Sequence, residues 1–226
     1  MNKNYYSEKL SANKLKKCYD IASSRIQQYL KAEIEYILSF VKTDSIVLEL
    51  GCGYGRVLKF VAEKSKEAYG IDTSIESLEL AREFLVDFPN VKLLEMDAGN
   101  LTFKERNFDV VFAIQNGISA FKIEPQKLVK ECLKVTRKGG KVIFSSYSEK
   151  IWDARLEWFL KQAEVGLLGE IDLEKTGEGT IVGKDGFKAT TFTKEDFSDL
   201  SVDVDVNSYI KEIDQSSIFW VICVDG

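Results

Sequence analysis

Histidine is missing from all 226 residues of this chain. Its absence excludes an imidazole general base, Ser-His-Asp and Cys-His nucleophilic catalysis, and histidine-ligated zinc. No apolar run approaches the ~20 residues of a membrane span. The opening Met1-Asn2-Lys3-Asn4-Tyr5-Tyr6 has no apolar signal-peptide core, so no membrane association is expected. Four widely spaced cysteines (Cys18, Cys52, Cys132 and Cys223) form no CxxC pair and read as reduced thiols of a cytoplasmic protein. With a net charge of −5 and no long Lys/Arg block, nucleic acid is not expected as a partner. Internal repeats and low-complexity tracts are also lacking, and 226 residues suit one α/β domain.

What is present centres on Val47-Leu48-Glu49-Leu50-Gly51-Cys52-Gly53-Tyr54-Gly55-Arg56. An apolar strand runs into three glycines at alternate positions, and an amphipathic helix pattern follows. Such a turn lets backbone approach a ligand closely and offers free N–H groups at the positive end of a helix dipole. Glu49 places a carboxylate two residues before the first glycine, which suits a ligand carrying positive charge better than a bare pyrophosphate.

The periodicity elsewhere predicts one or two helices over 8–41, a strand at 45–50 and a helix at about 55–66 with Val57, Leu58, Phe60 and Val61 inward. Strands follow at 68–72, 91–95, 108–114 and 141–145. A helix capped by Thr73 and Ser74 runs to about Val86, and one opened by Pro125 ends at Arg137-Lys138-Gly139-Gly140. Beyond these lie a helix over 151–165, a hairpin over 179–192 around Lys184-Asp185-Gly186, and a capping box at Thr193 and Asp196. Residues 202–213 and 217–224 close the chain as an antiparallel pair. Right-handed crossovers then place helices on both faces of one sheet, with its ligand at the carboxyl ends of the strands. Strand ends at 50–55, 72, 97 and 114–116 should converge on one crevice.

An acid closing the second strand about 20 residues after the first glycine commonly accepts from ribose hydroxyls; Asp72 holds that position. Its alternative role is an acid at a helix N-terminus beside Thr73. Asp97 could accept from an exocyclic adenine amine while the Ala98 N–H donates to a ring nitrogen, although an Asp there is also a common turn former.

Glu49–Gly55, Gly70-Ile71-Asp72, Met96-Asp97-Ala98 and Phe108-Asp109-Val110-Val111 resemble the successive motifs of class I S-adenosylmethionine-dependent methyltransferases, small-molecule type. The resemblance covers about residues 45–146. It implies a Rossmann-like, doubly wound seven-stranded sheet with an antiparallel C-terminal strand, and S-adenosyl-L-methionine as cofactor. It places Gly51 and Gly53 at the methionine part, Asp72 at the ribose, and Asp97 with Ala98 at the adenine, with Glu49, Cys52, Thr73 and Gln115 as further cofactor-binding candidates. The segment Ile114–Ser119 is similar to small-molecule N-methyltransferases and lacks the aspartate that metal-dependent relatives use there, so no metal is expected.

The sulfonium activates the methyl group itself, which suits a chain without histidine. An amine bound neutral needs no strong base, so N-methylation of a small-molecule acceptor is slightly favoured over O-methylation, and no catalytic base is assigned. A non-catalytic nucleoside binder and an NAD-dependent oxidoreductase are the alternatives. Residues 1–44 are expected as a helical lid and 147–226 as the acceptor side. Tyr19, Arg25, Asn116 and Tyr147 are the substrate or lid candidates, and Trp152, Arg155 and Trp158 a possible acceptor wall. The hairpin is either a lid or an extension of the sheet edge. Acids outnumber bases sixteen to seven over 153–226, which is either a solvated surface or an attraction for a cationic substrate.

Overall fold

Val47 and Leu48 are neighbours in sequence, yet both are wholly buried, because helices cover both faces of the strand that carries them. The computed structural model describes residues 5, 9, 10 and 12–225. Residues 1–4, 6–8 and 11 of the expected N-terminal lid, and Gly226, lie outside the described residues.

Two helices open the chain, α1 (Ala12–Asp20) and α2 (Ser24–Leu38), separated where Ser23 caps α2 by accepting from the Ile26 N–H. The alternating unit follows: β1 (Ile46–Leu50), α3 (Leu58–Lys64), β2 (Glu67–Asp72), α4 (Ile75–Phe84), β3 (Val91–Glu95), β4 (Phe108–Ala113), α5 (Gly117–Ala120), α6 (Pro125–Val135) and β5 (Thr136–Tyr147). After a 3-10 turn come α7 (Trp152–Glu164), β6 (Thr180–Val182), β7 (Lys188–Thr190), α8 (Lys194–Asp203), β8 (Ser208–Ile213) and β9 (Ser217–Cys223). The main sheet has seven strands in the order β3-β2-β1-β4-β5-β9-β8, and β9 runs antiparallel to both neighbours. The order reverses between β1 and β4, which sets the crevice there.

Alternate side chains feed two cores. Leu48, Val142, Phe144 and Trp220 meet Leu128 and Val129 of α6 and Phe197 of α8. Val47, Phe112, Ile143 and Phe219 meet Ile34 and Ile37 of α2 and Leu58 and Val61 of α3 on the opposite face. A third cluster sits apart and joins Cys18 of α1, Tyr29 of α2, Trp158 and Phe159 of α7, and Ile181 and Phe187 of the hairpin region. This cap covers the carboxyl ends of the strands on the cleft side.

Several sequence expectations change. Helix α2 serves two layers, with Ile34 and Ile37 under the sheet and Ile26, Tyr29 and Leu30 in the cap, and among the described residues of 1–44 those lining the crevice are Leu10, Leu15, Cys18 and Tyr19. Helix α6 stops at Val135 rather than at the two glycines, and 136–140 already belong to β5. The register slips between Phe108 and Val110, and Arg137 in the extra length pairs with Asp109, whose other oxygen accepts from the Ile46 N–H at 2.7 Å. Phe60 faces solvent instead of the core. Residues 202–207 are not strand, because the Thr193–Asp196 capping box launches a helix that carries through Asp203. The hairpin is a separate two-stranded sheet and not an edge extension. Among the described residues no helix is long and apolar enough to cross a membrane.

Candidate functional site

At the switch point a cleft opens between the strand ends and the cap. Leu50, Gly51 and Gly53 supply its floor after β1, Asp72, Thr73 and Ser74 its wall after β2, and Met96, Asp97 and Ala98 its wall after β3. Ile114, Gln115, Gly117 and Phe121 close it after β4. The roof and far end come from Leu15, Cys18 and Tyr19 of α1, Tyr147 of β5, and Trp158, Phe159 and Gln162 of α7.

The glycine loop has a conformation that its sequence demands. Gly51 and Gly53 sit at φ +67° and +54°, and a Cβ on Gly51 would come within 2.5 Å of the Phe121 ring. Side chains are excluded there sterically, which leaves backbone facing the cleft. Asp72 fixes the loop: one carboxylate oxygen accepts from the Gly53 N–H and the other from the Ser74 N–H, each at 2.8 Å. Burial pushes its carboxyl up while those N–H donors oppose the shift. Asp97 makes an Asx-type turn, accepting from the Gly99 N–H at 2.8 Å, and still lines the cleft.

Two consecutive left-handed residues follow β4, Gln115 at φ +55° and Asn116 at φ +63°. That backbone is costly for non-glycine residues, and here hydrogen bonds offset the cost. The Gln115 N–H donates to Ser145 Oγ at 2.9 Å and the Asn116 N–H to the Ser145 carbonyl at 3.0 Å. The turn points the Gln115 side chain at α1, where its Oε1 accepts from the Tyr19 hydroxyl at 2.6 Å. Burial lifts the Tyr19 phenol well above its ordinary range.

Of the sequence candidates, Gly51, Gly53, Asp72, Thr73, Asp97, Ala98 and Gln115 share the cleft with Tyr19 and Tyr147. Trp158 joins them there, while Trp152 and Arg155 do not line it. Glu49 lies just behind the floor, buried, with Oε2 unpartnered among the described residues and its carboxyl pushed up to about 8 by burial, against the opposing charge of Arg56. Cys52 turns away to pack between Gly70 and the glycine loop. Arg25 lies on the outer surface, paired with Asp214 at 2.6 Å. Asn116 braces the hairpin by donating to the Thr190 carbonyl at 2.9 Å. Arg155 ties α7 to the same region, donating to the Gly179 and Ala189 carbonyls and to Thr191 Oγ1. None of the sixteen acids over 153–226 lines the cleft.

Sequence reasoning missed Leu15, Phe121 and Gln162. Gln162 had a readable signal: it follows Trp158 by four residues and Phe159 by three, which puts an amide on the buried stripe of α7.

Residues 47–140 match a family model described as a methyltransferase domain. The chain is 32% identical over 145 residues to a malonyl-[acyl-carrier protein] O-methyltransferase of Marinomonas sp. (strain MWYL1), covering 60% of this chain and 52% of that protein. It is 36% identical over 104 residues to a phosphatidylethanolamine N-methyltransferase of Cereibacter sphaeroides, covering 45% of this chain and 50% of that one. The chain thus spans about half the length of these curated relatives. A crystal structure of a SAM-dependent methyltransferase from Aquifex aeolicus superimposes with a TM-score of 0.63 at 13% identity, covering 92% of this chain and 97% of that one.

Proposed function

We propose that this chain, residues 47–140 of which match a methyltransferase-domain model, is a class I S-adenosylmethionine-dependent methyltransferase that binds S-adenosylmethionine in the cleft between β1 and β4 and methylates a small molecule, at nitrogen in preference to oxygen. The observation that carries this reading is the convergence of Gly51, Gly53, Asp72, Asp97 and Ala98 on one cleft from the ends of β1, β2 and β3.

The residues present fit the cofactor. The positive-φ glycines leave a cradle that a Cβ would fill, and the buried, unpartnered Glu49 Oε2 lies behind it, suited to a positive group. In this reading Gly51 and Gly53 hold the methionine part through backbone. Asp72 accepts from the ribose with the lone pairs that Gly53 and Ser74 leave over, and Asp97 with the Ala98 N–H reads the adenine. When bound, S-adenosylmethionine would supply an activated methyl group: the acceptor lone pair would bond to the methyl carbon, the C–S electron pair would return to sulfur as a thioether, and a protonated product would lose its proton to solvent after release. Orientation of the acceptor can then supply much of the acceleration, ~7–11 kcal/mol in favourable cases. Tyr19 and Gln115 latch α1 over the cleft and exclude water from the reacting atoms. With both tyrosines of the roof raised by burial, neither is a base at neutral pH, which agrees with an acceptor that arrives with its lone pair free.

Calorimetry with S-adenosylmethionine and with NAD tests the cofactor, and micromolar binding of NAD alone overturns the proposal. Turnover to S-adenosylhomocysteine over amines, phenols and acids tests catalysis. Tight cofactor binding with no turnover on any of them favours a non-catalytic binder.

A further inference from the structure

We propose that the methyl acceptor is an uncharged, planar aromatic molecule, and that Gln162 holds it by donating a hydrogen bond from Nε2 to a ring nitrogen or carbonyl oxygen. The inference rests on the methyltransferase reading above and names the substrate class of that site.

Gln162 lines the cleft, is 2% exposed, and its Nε2 has no hydrogen-bond partner among the described residues. A buried amide is costly to leave unpaired, so such a donor is normally matched by an acceptor atom. Its neighbours on α7, Trp158 and Phe159, offer no acceptor: the Trp158 indole is a donor only, and its N–H is already given to the Cys18 carbonyl at 2.8 Å. An acceptor atom brought by a ligand is the partner that remains.

The walls around this donor are rings. Tyr19, Tyr147, Trp158 and Phe159 line the cap end, and Cys18 and Leu15 fill between them. Aromatic faces and edges at that density favour a flat ring through offset and edge contacts.

Charge separates this class from aliphatic ammonium acceptors. The charged side chains lining the cleft among the described residues are Asp72 and Asp97, both at the cofactor end and both tied to backbone N–H groups. The cap end has none to offset the desolvation of an ion. Its tyrosines already carry cations: the Arg155 guanidinium lies 4.1 Å from the Tyr147 ring and that of Arg56 lies 4.6 Å from Tyr19. Arg56 also faces Glu33 and Glu49, so Arg155 is the stronger of the two. A third cation between these rings would be repelled rather than caged. An arylamine or heteroaromatic nitrogen, by contrast, is uncharged at neutral pH and keeps its lone pair.

The test uses the full chain saturated with S-adenosylhomocysteine, titrated by calorimetry with 3-aminoquinoline, which is weakly basic and uncharged at neutral pH, its carbon isostere 2-naphthylamine, ethanolamine and glycine. Aminoquinoline is expected to bind roughly tenfold more tightly than naphthylamine, the ratio one buried hydrogen bond supports, and the two aliphatic amines to give no heat. Gln162→Leu should erase the preference for the ring nitrogen and leave affinity for S-adenosylhomocysteine unchanged. Gln162→Met, which also removes the donor at similar volume, serves if the leucine variant fails to fold. Equal binding of the two aromatic probes, binding of neither, or preference for ethanolamine or glycine overturns the inference while S-adenosylhomocysteine still binds. Failure of S-adenosylhomocysteine itself to bind overturns the cofactor reading instead.

Discussion

Glu33 of α2 is wholly buried beneath the sheet, where one carboxyl oxygen accepts from Ser145 Oγ at 2.6 Å and from Ser217 Oγ at 2.9 Å. Its other oxygen has no partner among the described residues. Burial pushes this carboxyl from 4.5 up to about 7, although the two serines and Arg56 pull the other way. The folded protein therefore holds this proton more tightly than the unfolded chain. The stability it confers is fully present below about pH 4.5 and is lost as pH rises through about 7. Each pH unit across that window is worth about 1.4 kcal/mol, so the loss is at most ~3–4 kcal/mol. Glu33→Gln keeps an oxygen for both serines and mimics the protonated acid at every pH. Urea unfolding between about pH 5 and about pH 8 should show wild type weakening as pH rises, and the variant weakening much less, overtaking wild type at the alkaline end. Glu49 slopes in the same direction, its carboxyl raised to about 8, so some residual slope belongs to it. Carboxyls lowered by their partners, such as Glu212 and Asp214, act in the opposite sense and below this window. A flat wild-type profile, or an equally steep one in Glu33→Gln, would refute the reasoning.

Four shorter predictions concern the cleft. Binding of S-adenosylmethionine near neutral pH should release protons, because a positive group beside Glu49 draws its carboxyl down from about 8; calorimetry in buffers of different ionisation heat reads the number, and zero release separates Glu49 from the cofactor. Gly51→Ala should cost ~1–2 kcal/mol through its positive φ and abolish measurable cofactor binding as the methyl and Phe121 collide. Asp72→Ala removes the acceptor for two backbone N–H groups as well as any ribose contact, so a drop in thermal midpoint should accompany the loss of affinity, with Asp72→Asn falling between. Tyr19→Phe loses only the bond to Gln115; cofactor dissociation measured by stopped flow should quicken several-fold with the midpoint nearly unchanged.

The parallel half of the fold is readable because each element there is coded locally. The apolar run of β4 after Asp109, the glycines after β1 and the acid ending β2 each report on their own neighbourhood. The errors fall where distant residues decide. Helix α6 gives up its last residues because Asp109 and the β5 register claim Arg137 and the three residues after it. Arg25 reads as a hand for the cofactor, and nothing near it in sequence reveals Asp214, which takes it. Asn116 stands out in the polar run after β4, where the backbone turns left-handed, but its bond to Thr190 spans the chain. Gln162 is marked as inward only by its spacing from Trp158 and Phe159, a signal set against the usual solvent-facing habit of glutamine on an amphipathic helix.

The bond from the Trp158 indole to the Cys18 carbonyl has a practical consequence. The chain holds three tryptophans, and they are placed differently. Trp220 is sealed in the sheet against Phe144 and Phe197, and Trp152 is half-buried at the start of α7. Trp158 alone bridges α1 and α7 across the roof. Any rotation of α1 away from the strand ends breaks that bridge, wets one indole, and shifts its emission to the red while Trp220 stays silent. The protein therefore carries its own optical gauge of roof position, with no label and no added dye.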